Sequence, residues 1–161
     1  MKINLMNYKI VTRKSCKVIG LQVELTTSQN ENHRIIASHW KRFNRELRIK
    51  EIRFDSNWLK YGITTKIDNQ YMYLTAIRKM SDVIGFAEEE LRGGEYICFE
   101  HKGNMDLLKS TIHGIYKKFI PESDFELDES RATIHFEQYD HRFLWNKPNS
   151  IIDIYVPIET S

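Results

Sequence analysis

Little in this sequence is extreme, and what it lacks already narrows the field. No apolar run approaches the ~20 residues that a helix needs to cross a bilayer. The start, MKINLMNYKI, has no basic head followed by a long apolar middle and a small-residue cleavage site, so no secretory signal is expected and the chain reads as cytoplasmic. There are only two cysteines, Cys16 and Cys98, in no CxxC or zinc-ribbon spacing. Both sit in apolar surroundings and read as buried free thiols; a disulfide is not expected in a reducing compartment. A net charge of +2, with its basic residues scattered, leaves no stripe for nucleic acid. GxSxG, P-loop and HExxH patterns are absent, and neither cysteine has an evident histidine-asparagine partnership. His135, Glu137 and His141 are spaced too irregularly for a metal site, and no metal or cofactor is expected.

What is present suits one soluble domain. The 161 residues, 41% apolar and 29% charged, are enough to bury a sizeable core. Tyr8 to Val11 reads as a short strand and Cys16 to Leu25 as a clearer one. Asn30 is a candidate helix N-cap, after which Ile35, Ile36, His39, Trp40 and Phe43 recur at helical spacing. NRELRIKEIRFDSNW is ambiguous and reads as an irregular connection that leaves room for a further helical turn. Tyr61 to Ile67 and Tyr71 to Ile77 look like two strands joined by a turn at Asp68 and Asn69. SDVIGFAEEELRGG then reads as a linker, with FAEEEL as an acidic surface loop.

The same order follows again. Glu95 to His101 is a strand, and Asn104 or Asp106 is placed to cap a helix carrying Leu107, Leu108, Thr111, Ile112, Ile115 and Phe119 until Pro121 stops it. Ala132 to Tyr139 and Ile151 to Ile158 are the next two strands. HWKRF, ending at Phe43, aligns with IYKKF, ending at Phe119; at that offset Trp40 meets Tyr116 and Lys41 meets Lys117. We therefore expect one α+β domain of two tandem β-α-β-β repeats, spanning about residues 8–80 and 86–160. Its antiparallel sheet should carry two helices on one face and a ligand cleft on the other.

Strand parity supplies candidate residues. One face would gather Met72, Leu74, Ala76, Ile134, Phe136, Ile152, Ile154 and Val156 under the helices. The reverse face would gather Tyr71, Tyr73, Thr75, His135, Glu137, Tyr139, Asp153 and Tyr155. A carboxylate among aromatic rings suits an aromatic cation, because ring quadrupoles add to the Coulomb attraction once water is partly excluded. A buried acid would also need a hydrogen bond, and a tyrosine hydroxyl is the expected donor.

The stretch GGEYICFEHKGNMDLLKSTIHGIYKKFIPESDFELDE, then ATIHFEQYDHRF and IIDIYVPIE, resembles the second half of the GyrI-like family. This family is also described as the AraC-type, or bacterial-transcription-activator, effector-binding domain. The likeness rests on the glycine-led GEY strand, the HKG turn, the helix ending at FIP, the FExYDxRF strand and the terminal DIYVPI. It covers roughly residues 90–159 and extends weakly over the whole chain through the repeated element order.

The resemblance implies a ligand cleft near the pseudo-twofold axis, with Glu137 meeting a ligand's positive charge and Tyr155 lining the pocket. Trp40, Tyr73, Tyr116, Tyr139 and Phe99 are added by the repeat and parity arguments. With no helix-turn-helix pattern, the chain reads as a stand-alone member that does not touch nucleic acid itself and regulates, if at all, through a protein partner. The expected function is binding of small amphipathic aromatic, often cationic ligands. Two alternatives stay open: hydrolysis of a reactive electrophile by the same glutamate, and an interaction module acting on a partner such as DNA gyrase.

Overall fold

The computed structural model describes residues 7–160; the first six residues, part of the start read above for a signal peptide, and Ser161 lie outside the described residues. Strands β1 (Tyr8–Arg13) and β2 (Cys16–Glu24) precede helix α1 (Gln29–Ile49), which is followed by β3 (Lys60–Ile67) and β4 (Gln70–Arg78). The second unit has β5 (Ala87–Leu91), β6 (Gly94–Lys102), helix α2 (Leu108–Gly114), β7 (Thr133–Tyr139) and β8 (Ile151–Pro157). A tight turn, Met105–Leu107, leads into α2, and the helix continues through a widened π turn, Ile115–Phe119, to a last turn at Ile120–Glu122.

Local chemistry explains these boundaries and corrects several expectations. The N-cap of α1 is Ser28, not Asn30: its hydroxyl accepts from the Glu31 N–H at 3.3 Å. α1 also runs on through NRELRI to Ile49, because Phe43 and Leu47 extend its buried stripe. Asp68 and Asn69 both take positive φ, 51° and 65°, the geometry of a two-residue hairpin whose twist matches its strands. Pro121 does not stop the second helix outright. It lies within the closing turn, and the helix ends one residue later at Glu122. FAEEEL is an edge strand, β5, rather than a loop.

All eight strands form one antiparallel sheet, ordered β1-β6-β8-β7-β3-β4-β2-β5. The α+β class and the repeated β-α-β-β order are as expected, with the pseudo-twofold axis between β7 and β3. The outermost strands are exchanged: β1 of the first unit pairs with β6 of the second, and β5 of the second pairs with β2 of the first. The two edge connections meet, the Gly93 N–H donating to the Ser15 hydroxyl at 2.8 Å. A side chain at Gly93 would stand 2.7 Å from the Arg13 carbonyl, so glycine is what permits this approach.

Because its edges converge, the sheet curls and both of its faces are buried. Inside the curl lie Val18, Tyr61, Ile63, Leu74, Ala76, Tyr96, Phe136 and Tyr155. Under α2 and its π turn lie Ile97, Phe99, Ile152, Ile154 and Val156; under α1 lie Ile19 and Ile77. Ile152, Ile154 and Val156 are thus beneath helices as expected. Leu74, Ala76 and Phe136 are not: they face the enclosed side, and Tyr73, Glu137 and Tyr139 face the helices instead of the reverse face. Ladder register shows it directly, since Phe136 pairs with Tyr155 and Glu137 with Ile154. A sheet apolar on both faces alternates without labelling which face the helices will take. Among the described residues, no helix is long and apolar enough to cross a membrane.

Candidate functional site

Glu137 lies on a central strand beside the pseudo-twofold axis, in a row that crosses the sheet as Phe99, Ile154, Glu137, Gly62 and Thr75. Gly62 leaves a gap in that row, and the Tyr73 side chain from β4 fills it. A Cβ at position 62 would stand 2.0 Å from the Tyr73 hydroxyl and 2.6 Å from Glu137 Oε1. Through this gap Tyr73 donates to Glu137 Oε1 at 2.7 Å, and Tyr139 donates to the same oxygen at 3.1 Å. From α1, Trp40 Nε1 donates to the Tyr73 hydroxyl at 3.0 Å, and its ring meets Tyr139 edge-on at 5.1 Å.

The other carboxylate oxygen, Oε2, has His135 Nε2 at 4.0 Å. From the π turn, the Tyr116 hydroxyl lies 2.8 Å from His135 Nδ1 and donates to the Ile134 carbonyl at 3.2 Å. Tyr116 thus ties the His135 ring to the π turn through Nδ1, with Nε2 left facing the acid.

Electrostatics follow from the burial. Glu137 is 4% exposed, and loss of solvation pushes its pKa up to about 7 despite the opposing hydrogen bonds from Tyr73 and Tyr139. Burial pushes His135 down to about 4, so near neutral pH it is no counter-ion. Tyr73 and Tyr139 are raised well above the usual phenol range by burial and by the adjacent carboxylate, which keeps both as donors. Among the described residues, no arginine or lysine pairs with Glu137. The site is therefore a buried acid, wrapped in rings, with no permanent cation.

Of the residues predicted from sequence, Glu137, Tyr73, Tyr139 and Trp40 form one contiguous group, and Tyr116 joins through His135. Phe99 and Tyr155 stand apart. Phe99 shares the helix-side face but packs 4.8 Å from Phe119 in the core. Tyr155 projects to the enclosed face, stacked on Phe136 at 4.7 Å, with the sheet between it and Glu137. The expectation that Glu137, Tyr73 and Tyr155 share a face is corrected accordingly. Gly62 was not foreseen, although a glycine amid KYGITTKI is the kind of strand interruption that marks close approach. Two cavities, of 610 and 380 Å³, open elsewhere, and neither is lined by Glu137 or its partners. Around the acid stand the Tyr73 and Tyr139 hydroxyls and the Trp40 ring.

A curled sheet of two β-α-β-β units, with an uncompensated acid held among rings under two helices, defines a GyrI-like effector-binding domain. The chain belongs to the Cass2 family of integron-associated effector binding proteins, whose family model matches residues 9–158. No curated protein matches it in sequence. Among solved structures it is similar to SAV2435 bound to tetraphenylphosphonium, at 17% identity and TM-score 0.76, covering 96% of this chain and 94% of that one. It is also similar to the C-terminal domain of EcmrR, at 10% identity and TM-score 0.65, covering 98% and 99%. An integron cassette protein of Vibrio cholerae matches at 14% identity and TM-score 0.63, covering 94% and 95%.

Proposed function

We propose that this chain binds small amphipathic aromatic cations, with Glu137 as the countercharge and Tyr73, Tyr139, Trp40 and Tyr116 as the surrounding rings. The observation that carries the reading is an acid 4% exposed, held only by neutral partners, in a chain of an effector-binding family. Burying an unpaired carboxylate costs several kcal/mol, and a delocalised cation is the group that would relieve it. Tetraphenylphosphonium, bound by the structurally similar SAV2435, has that chemistry. Such a ligand would displace the Tyr73 and Tyr139 hydroxyls from Oε1 and stack among the rings they leave.

The test compares tetraphenylphosphonium with neutral triphenylphosphine oxide by calorimetric titration. Glu137→Gln should weaken the cation by roughly tenfold or more, in line with a lost charge-assisted contact, and barely alter the neutral compound. Equal losses for both ligands would remove Glu137 as countercharge. Wild-type affinity for the cation should rise as pH increases through about 7 and level off above it, because the ionised acid is the binding form. A pKa near 7 also suits a general base. The two hydroxyls on Oε1 favour binding over turnover, however, and hydrolysis of an electrophile lost in the same variant would favour the enzyme reading.

A further inference from the structure

We propose a second ligand site on the opposite side of the sheet, an oxyanion site that takes the phosphate or carboxylate of a small organic molecule. It lies at the open end of the curl, where a cavity of 610 Å³ is lined by Arg13, Lys14, Lys17, Arg78, Lys79 and Gln138. Arg13, Arg78 and Gln138 continue the enclosed face: Arg78 pairs with Val18 across β4 and β2, and Gln138 follows Phe136 by one pleat. The aromatic core inside the curl thus ends in guanidinium groups.

Two of these cations are held in place without being neutralised. Arg13 Nη1 donates to Gln138 Oε1 at 3.1 Å, and its guanidinium lies 4.6 Å from the centre of the Tyr155 ring and 5.2 Å from that of Phe136. Arg78 Nε donates to the Tyr61 hydroxyl at 3.2 Å. Neither arginine, nor Lys14, has a carboxylate within 4.0 Å among the described residues. Lys17 and Lys79 are partly compensated by Glu88, and Lys79 also by Asp82. No acidic side chain lines the cavity. Guanidinium forks oriented by neutral partners keep their remaining N–H groups free, which matches the paired oxygens of phosphate and carboxylate. The volume is large enough for a nucleotide-sized molecule. Tyr155, which does not reach Glu137, finds its place here as the ring beneath Arg13.

The cavity also carries a reporter. Cys16 lines it, whereas Cys98, the other cysteine, is 3% exposed and its thiol is pushed up to about 11 by burial. Alkylation near neutral pH therefore reads Cys16.

The experiment titrates the full chain calorimetrically at low salt with adenosine monophosphate, citrate and adenosine. At least one of the two anions should saturate while adenosine does not. Saturation by the monophosphate alone assigns phosphate, and saturation by citrate alone assigns carboxylate. An Arg13→Gln, Arg78→Gln double variant should weaken the anion roughly tenfold or more and leave tetraphenylphosphonium binding unchanged, since that ligand's acid lies across the sheet. In the unmodified chain, anionic iodoacetate should outpace neutral iodoacetamide at Cys16 by several-fold relative to a free thiol, and the binding anion should slow both. Saturation by neither anion, equal affinity in the double variant, or a free-thiol rate ratio at Cys16 would each overturn the proposal.

Discussion

Glu137 couples the protein's stability to pH through its own burial. Its pKa is raised from 4.5 to about 7, so between those values the folded chain keeps a proton that the unfolded chain has released. Stability from this residue is lost as pH rises through that window and stays lost above it. Glu137→Gln should therefore unfold later than the wild type at pH 8, by about 3 kcal/mol, with the advantage gone near pH 4. Urea titrations across pH measure it, and the difference between the two proteins is the quantity to read. His135, lowered from 6.5 to about 4, works in the opposite sense, costing stability as pH falls below 6.5, and is present in both. Tyr73→Phe should cost about 1–3 kcal/mol at neutral pH, because Trp40 Nε1 loses its acceptor and Glu137 a donor. Gly62→Ala should destabilise by a comparable amount, since the hydroxyl in its way is held from both sides. The acid itself was legible in FEQYD. The residue that shapes its surroundings, a glycine one strand away, becomes meaningful only in register.

Among the elements, the β3–β4 hairpin was read correctly because Asp-Asn between two alternating strands is a turn by local chemistry alone. Asn69→Val should cost about 1–2 kcal/mol in urea unfolding, the penalty of a branched side chain at positive φ. β5 escaped the reading because AEEEL has neither alternation nor β-branched residues; its pairing with β2 makes it a strand. The π turn at Ile115–Phe119 likewise has no sequence signature, yet it carries the tyrosine that reaches His135. Cap positions were off by two residues at α1 for a similar reason. Serine, asparagine and glutamate all occur in SQNENH, and geometry chooses among them.

At the scale of the whole molecule, strand exchange makes the repeats interdependent. β1 pairs with β6, β5 with β2 and β3 with β7, so three ladders join the halves. Neither half should fold alone. Separate chains of residues 1–83 and 84–161, cut in the exposed segment around Ile84, should each lack native circular dichroism and regain it when mixed. A half that folds and unfolds cooperatively by itself would contradict this. Unfolding of the intact chain should be a single transition in both fluorescence and far-ultraviolet signals.

The amino-acid order alone determined most of the element types, their duplication and the presence of an acid in aromatic company. These follow from spacing and turn chemistry, which act over a few residues. Which face the helices would cover was decided only in three dimensions. Closing the two edges buried both sides of the sheet, and with both sides apolar the alternation no longer distinguished them. That one choice put Glu137 under Trp40 and sent Tyr155 to Arg13.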